Sequence, residues 1–128
     1  MIFCSINERG EDAWYLVING RKTVTRRLKP VEVGKVFAVQ PNRGRKAVGY
    51  IKVRSCMLHQ TWLRAYVPGG NYWTEGDALA KKIMDDEAKR EGFLGYQGFR
   101  AWLYSHGIDI LKTYRISFEY VGEVKPHV

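Results

Sequence analysis

The chain predicts a single α+β domain, a few short strands with two or three helices packed on them. Three observations carry this. Residues 112–120 alternate strictly, so Tyr114, Ile116, Phe118 and Tyr120 share one face of a strand. Residues 35–40 and 47–54 read as two more strands, separated by the turn-forming Pro41-Asn42-Arg43-Gly44-Arg45. Residues 77–91 and 97–105 instead repeat apolar side chains at helical spacing, first Ala80, Ile83, Met84 and Ala88, then Phe99, Trp102 and Leu103. At 128 residues and 45% hydrophobic composition, one domain over residues 1–128 with its own core is expected. Short, separated strands suit a compact barrel.

From the start of the chain, residues 2–6 read as a first strand. Glu11 and Asp12 precede residues 13–18 (Ala-Trp-Tyr-Leu-Val-Ile), a short helix with acids at the positive end of its dipole. Asn19-Gly20 ends it, both residues tolerating a left-handed backbone. A cationic loop then leads into the next element. Pro30 breaks the chain and Gly34 turns it into the strand at 35–40; the return strand at 47–54 alternates apolar and basic residues, with one face buried and one wet. Residues 57–74 hold Trp62, Tyr66, Tyr72 and Trp73 around Pro68-Gly69-Gly70 and read as a poorly regular, variable insertion with one helical turn or a hairpin. Thr74-x-x-Asp77 resembles a helix start, Gly92 stops the helix at 77–91, and His106-Gly107 ends the helix at 97–105. There is no repeat, low-complexity segment or linker.

The net charge of +8 is uneven. Residues 1–74 hold 13 Lys/Arg against 4 Asp/Glu, a balance of +9, while residues 75–128 hold 8 against 9, a balance of −1. Such asymmetry predicts one basic face and a polyanionic or phosphate-bearing partner, with solubility alone as the plainer reading. No apolar run approaches a membrane span and the first residues lack a basic start, so a cytoplasmic protein is expected, with a monomer as the default. Cys4 and Cys56 are far apart and no Cys/His spacing suggests zinc; neither metal nor cofactor is expected. His59, His106 and His127 are isolated and read as surface or helix-end residues.

Neither a dinucleotide fingerprint nor a phosphate loop is present, and no histidine has an obvious triad partner. What remains is Gly20-Arg21-Lys22-Thr23-Val24-Thr25-Arg26-Arg27, four cations and two hydroxyls in eight residues. A lysine beside a hydroxyl is one of the few ways to activate Ser or Thr without histidine; a solvated basic turn is the inert alternative. Lys22 and Thr25 would share a face in a helical turn and oppose each other in a strand, so spacing alone does not bring them together. A lysine base must shed its proton near neutrality, which desolvation or the neighbouring Arg21, Arg26 and Arg27 favour. Glu91 sits at a helix C-terminus, where the dipole disfavours an acid; it marks either a task or an exposed ion pair. Tyr72 and Trp73, near a basic loop, are candidates to stack on a base, with core packing as the alternative.

The run Gly20, Lys22, Thr25 and Arg27 resembles the signature of the ASCH domain family, which has a PUA-like barrel fold. Many members carry glutamate at the third of these positions; threonine there is similar to the amidohydrolase branch. The resemblance extends to the helix at 13–18, to Gly34 and the strand after it, to Asp86-Glu87-Ala88-Lys89-Arg90-Glu91-Gly92-Phe93, to Gln97-Gly98-Phe99-x-x-Trp102 and to the final strand. It implies a small β-barrel with flanking helices and a cleft for RNA or a nucleobase. It further implies an activity that removes acyl groups from the N4 nitrogen of cytosine or cytidine, with Lys22, Thr25 and Glu91 as the catalytic set. Arg26, Arg27, Tyr72 and Trp73 are then candidate substrate contacts, and a modified pyrimidine nucleoside or nucleobase the partner. An RNA-binding module or ribonuclease using the same basic cleft is the alternative.

Overall fold

Residues 1–67 and 78–126 are described by the structure, a computed structural model. They form helix α1 (Ala13–Ile18), strands β1 (Val24–Arg27), β2 (Val36–Val39) and β3 (Gly49–Leu58), helices α2 (His59–Tyr66), α3 (Ala78–Arg90) and α4 (Tyr96–Ser105), a 3-10 turn (Ile110–Lys112) and strand β4 (Tyr114–Gly122). The α+β expectation holds. The strands make one antiparallel sheet in the order β1-β4-β3-β2. Its centre is the long β3–β4 pair, and β1 is docked by register pairs from Val24↔Ser117 to Arg27↔Tyr114.

The sheet is open: among the described residues no ladder joins β1 to β2, and no closed barrel is seen there. The strand expected at residues 2–6 is reduced to two isolated bridges, Ile2↔Gln40 and Ile6↔Asp12. Pro41 follows Gln40 and has no N–H with which to extend that pairing. The N-terminal segment nevertheless spans the gap. The Phe3 N–H donates to the Gln40 carbonyl at 2.9 Å on one side, and Arg27 Nη2 donates to the Ile2 carbonyl at 2.6 Å on the other.

Two expectations about 20–27 and 57–74 are corrected. The second half of the cationic run is not loop but β1. Met57 and Leu58 complete β3, and residues 59–66 form a regular helix whose His59, Trp62 and Leu63 are buried. Those three positions have helical spacing, and the aromatic content of the segment obscured it. Residues 68–74, with Tyr72 and Trp73, lie outside the described residues, as do Asp77 and His127.

The core has two parts. One is built by Trp62 and Leu63 of α2, Met84 and Ala88 of α3, Phe99 and Leu103 of α4, and Phe93 between the last two helices. The other packs Phe3, Ala13 and Val17 against Val39, Ile51 and Phe118 of the sheet. Ile51 and Ile116 have no exposed surface, and burial of each such side chain contributes about 1.5–3 kcal/mol.

Candidate active site

Two helix ends deliver the central pair. α1 closes in a Schellman motif: Gly20, at φ +78°, donates to the Val17 carbonyl at 3.1 Å and Arg21 donates to Leu16 at 2.9 Å. The reversed chain carries Lys22 inward, where the residue is only 4% exposed. α3 closes the same way. Gly92, at φ +99°, donates to Lys89 at 3.0 Å and Phe93 donates to Ala88 at 3.0 Å, leaving Glu91 at the turn between them. A side chain at Gly92 would press on Leu16 and on the Lys22 stem, so these two ends pack directly together.

Lys22 Nζ donates to Glu91 Oε1 at 3.1 Å, to the Glu91 carbonyl at 2.6 Å and to the Val24 carbonyl at 2.9 Å. Three acceptors match the three hydrogens of an ammonium. A cation at a helix C-terminus and an acid held by cations together explain why Glu91 is tolerated there. Burial is the largest influence on Lys22 and lowers its pKa; Glu91 opposes this, and Arg27 and Arg26 add to it. A buried lysine that releases its proton more readily than usual is suited to proton transfer.

Thr25, on β1, is also buried, and its hydroxyl makes no hydrogen bond among the described residues. Lys22, Thr25 and Glu91 line a single cavity of about 170 Å³ with Arg26, Arg27 and the N-terminal residues 2–5. Its apolar wall is Phe93, Phe99, Trp102, Leu103 and Ile108. The Phe93 ring lies 5.2 Å from that of Phe99 and 5.8 Å from that of Trp102, centroid to centroid. A core cavity of about 150 Å³ takes up benzene, so this one matches a single six-membered ring.

The two arginines differ. Arg26 is bonded at all three nitrogens: Nη1 to Glu91 Oε2 at 2.8 Å, Nη2 to Glu87 Oε2 at 2.7 Å, and Nε and Nη2 to His59 Nδ1 at 3.3 and 3.2 Å. Arg27 packs over Phe3, and its Nε is buried without a hydrogen-bond partner among the described residues. An unpartnered buried N–H on a cavity wall is a ready donor to a ligand carbonyl.

Three members of the cluster, Glu87, Arg115 and His59, were not singled out from the sequence as site residues. Glu87, 1% exposed, accepts from Arg115 Nε at 2.5 Å and Nη2 at 3.0 Å. Burial raises its pKa, but the Arg115 and Arg26 pairs outweigh burial and hold the carboxyl below its usual value. The signal was available: Met84, Glu87, Ala88 and Glu91 fall at i, i+3, i+4 and i+7, which puts both glutamates on the apolar face. His59 was expected at a surface or a helix end. It does begin α2, but it is fully buried. Burial and the Arg26 charge depress its pKa to about 3, so it is neutral with the proton on Nε2, opposite the nitrogen that accepts from Arg26. His106 lies exposed at the end of α4 as expected, and both cysteines are free.

Among the described residues no three metal-ligating side chains converge, and no helix is long and apolar enough to cross a membrane. No family model matches the chain, and no curated protein gives a significant match. Among solved structures, the chain is similar to the crystal structure of protein EF3133 from Enterococcus faecalis V583, of family DUF984. The identity is 15% and the TM-score 0.43, and the match covers 100% of this chain and 86% of that one, a likeness too weak to argue from.

Proposed function

We propose that the protein is an amidohydrolase that removes acyl groups from N4-acylated cytosine or cytidine. The observation that carries this is the Lys22–Glu91 contact, 69 residues apart in sequence, buried on the wall of a ring-sized cavity that also holds an unbonded threonine hydroxyl. Thr25 Oγ1 attacks the amide carbonyl carbon while Lys22, in its neutral form, takes the hydroxyl proton. The C–N4 bond then breaks, and the proton passes to the leaving amine with Glu91 steering Lys22. Water, activated by the same pair, hydrolyses the acyl-threonine ester. The Arg27 Nε–H supplies a donor for the pyrimidine carbonyl or the developing oxyanion, and Phe93, Phe99 and Trp102 supply the apolar walls for the ring. This reading includes the resemblance to ASCH domains and their PUA-like barrels, supported by the hydrogen bonds that tie the N-terminal segment to Gln40 and Arg27.

The test is ultraviolet-monitored conversion of N4-acetylcytidine to cytidine. Thr25→Ala, Lys22→Ala and Glu91→Ala should each lose turnover, with Thr25→Ala keeping the wild-type melting temperature. Wild-type rates in Thr25→Ala refute the nucleophile.

A second reading is binding of RNA, favoured by the exposed cations Arg43, Arg45 and Lys46 of the β2–β3 turn and Lys52 on β3. It predicts RNA affinity that falls steeply with salt and no turnover of the free nucleoside.

A further inference from the structure

We propose that Glu87 and Arg26 are positioning residues that govern how readily Lys22 gives up its proton. Glu87 competes with Glu91 for Arg26, and the share of Arg26 left on Glu91 sets how tightly Glu91 holds the lysine. The inference rests on the reading of Lys22 as the proton acceptor.

The geometry is a buried chain of alternating charge. Arg115 meets Glu87 at 2.5 Å, Glu87 meets Arg26 at 2.7 Å, Arg26 meets Glu91 at 2.8 Å, and Glu91 meets Lys22 at 3.1 Å. Glu91 divides its two oxygens between Arg26 and Lys22, so a stronger Arg26 contact leaves less charge for the ammonium. The set holds three cations and two carboxylates. It carries one surplus positive charge with Lys22 protonated and is balanced when Lys22 is neutral. The guanidinium groups do not release protons, so the surplus leaves from Lys22.

Lys22 is faced by Glu91 from the end of α3 and by Arg26 and Arg27 from β1. Arg115 of β4 and neutral His59 of α2 reach it only through Arg26 and Glu87, and half-exposed Arg90 touches the outer side of Glu87 at 3.6 Å. Cys4, from the N-terminal segment, shares the cavity wall with Arg27.

Two substitutions that do not touch Lys22 therefore act on it with opposite sign. Glu87→Gln removes an anion and releases Arg26 fully to Glu91, so Lys22 loses its proton at lower pH. Arg115→Gln removes a cation and lets Glu87 draw Arg26 away from Glu91, so Lys22 keeps its proton to higher pH. A scaffold role predicts loss of stability in both and no such opposed movement.

The experiment follows Lys22 by nuclear magnetic resonance of ¹³Cε-labelled lysine, assigned with Lys22→Arg, across a pH titration of the wild type and both variants. The expected result is a lower midpoint in Glu87→Gln and a higher one in Arg115→Gln. The acidic limb of kcat for N4-acetylcytidine should move the same way, about tenfold in rate at fixed pH for each unit. Unchanged midpoints, or midpoints that move together, in folded variants overturn the proposal. Should Glu87→Gln fail to fold, Glu87→Asp, which retains the anion but shortens its reach to Arg26, replaces it; an unmoved midpoint there and in Arg115→Gln is equally fatal. A wild type that does not turn over N4-acetylcytidine sinks the enzymatic reading, while the resonance titration still decides whether this chain controls Lys22.

Discussion

Replacing Glu91 by glutamine removes one negative charge from between two buried cations. Lys22 Nζ lies 3.1 Å from one carboxylate oxygen and Arg26 Nη1 lies 2.8 Å from the other, and all three side chains are at most 5% exposed. At an effective dielectric constant of about 20, each contact represents roughly 5–6 kcal/mol of gross attraction. Much of that is offset by desolvation, and breaking one member of such a buried pair costs about 3–5 kcal/mol net. The amide keeps an acceptor for one cation but turns an N–H toward the other, while Arg26 retains Glu87. A chain of 128 residues has a total stability of about 6–19 kcal/mol at the usual ~0.05–0.15 kcal/mol per residue. The loss is thus a large share of the whole, and the melting temperature should fall by roughly 10–20 °C. Lys22 relieves part of the strain by shedding its proton, so the loss should be smaller at pH 8 than at pH 6. The assay is urea and thermal denaturation of Glu91→Gln, Lys22→Met and the double variant. The double variant should be more stable than the sum of the single losses predicts, by about 1–3 kcal/mol, because it restores the charge balance of the cluster. A Glu91→Gln protein within about 0.5 kcal/mol of wild type, as for a surface substitution, would refute the buried-pair reasoning.

His59 gives the pH dependence. Its pKa is about 3 folded against 6.5 unperturbed, so between those values the unfolded chain binds a proton that the folded chain does not. Stability therefore rises with pH through that window, and about 2 kcal/mol of the pH 7 stability should be gone by pH 5. His59→Gln keeps an acceptor for Arg26 but does not titrate, and should flatten that drop in urea midpoints; an unchanged drop assigns it elsewhere. Gly92→Ala meets both a left-handed φ of +99° and the Leu16 Cδ1 at 3.1 Å, and should cost about 1–3 kcal/mol in thermal melts. Gly44→Ala, at φ +78° with open space around it, isolates the backbone part and should cost less; equal losses would show that Leu16 yields freely.

Much of the fold was legible where periodicity is clean. The alternation of Tyr114, Ile116 and Phe118 became β4, and the helical spacing of Ala80, Met84 and Ala88 became the buried face of α3. α2 was misread because Trp62 and Tyr66 favour a strand by propensity, while tertiary packing decided for the helix. The glycine ends at Gly20 and Gly92 were legible as stops. That they would bring Lys22 to Glu91 was not, since no local rule relates residues 69 apart. Glu87 was hidden for another reason. In a run as charged as Asp85-Asp86-Glu87-Ala88-Lys89-Arg90, a solvated face is the ordinary outcome, and only the partners Arg26 and Arg115, from strands distant in sequence, make its burial tolerable.

The strand that bears Thr25 sits at one edge of the sheet, and among the described residues its sole ladder is to the last strand. During synthesis, Lys22 and Thr25 leave the ribosome well before residues 114–122 exist to dock them. At about 5–20 residues per second that interval is several seconds. Through it the hydroxyl, the lysine and the glutamate are ordinary solvated groups on separate stretches of a nascent chain. The gathering of Lys22, Thr25 and Glu91 is therefore a property of the finished molecule: a chain that stops short of β4 has the residues but no means of bringing them together.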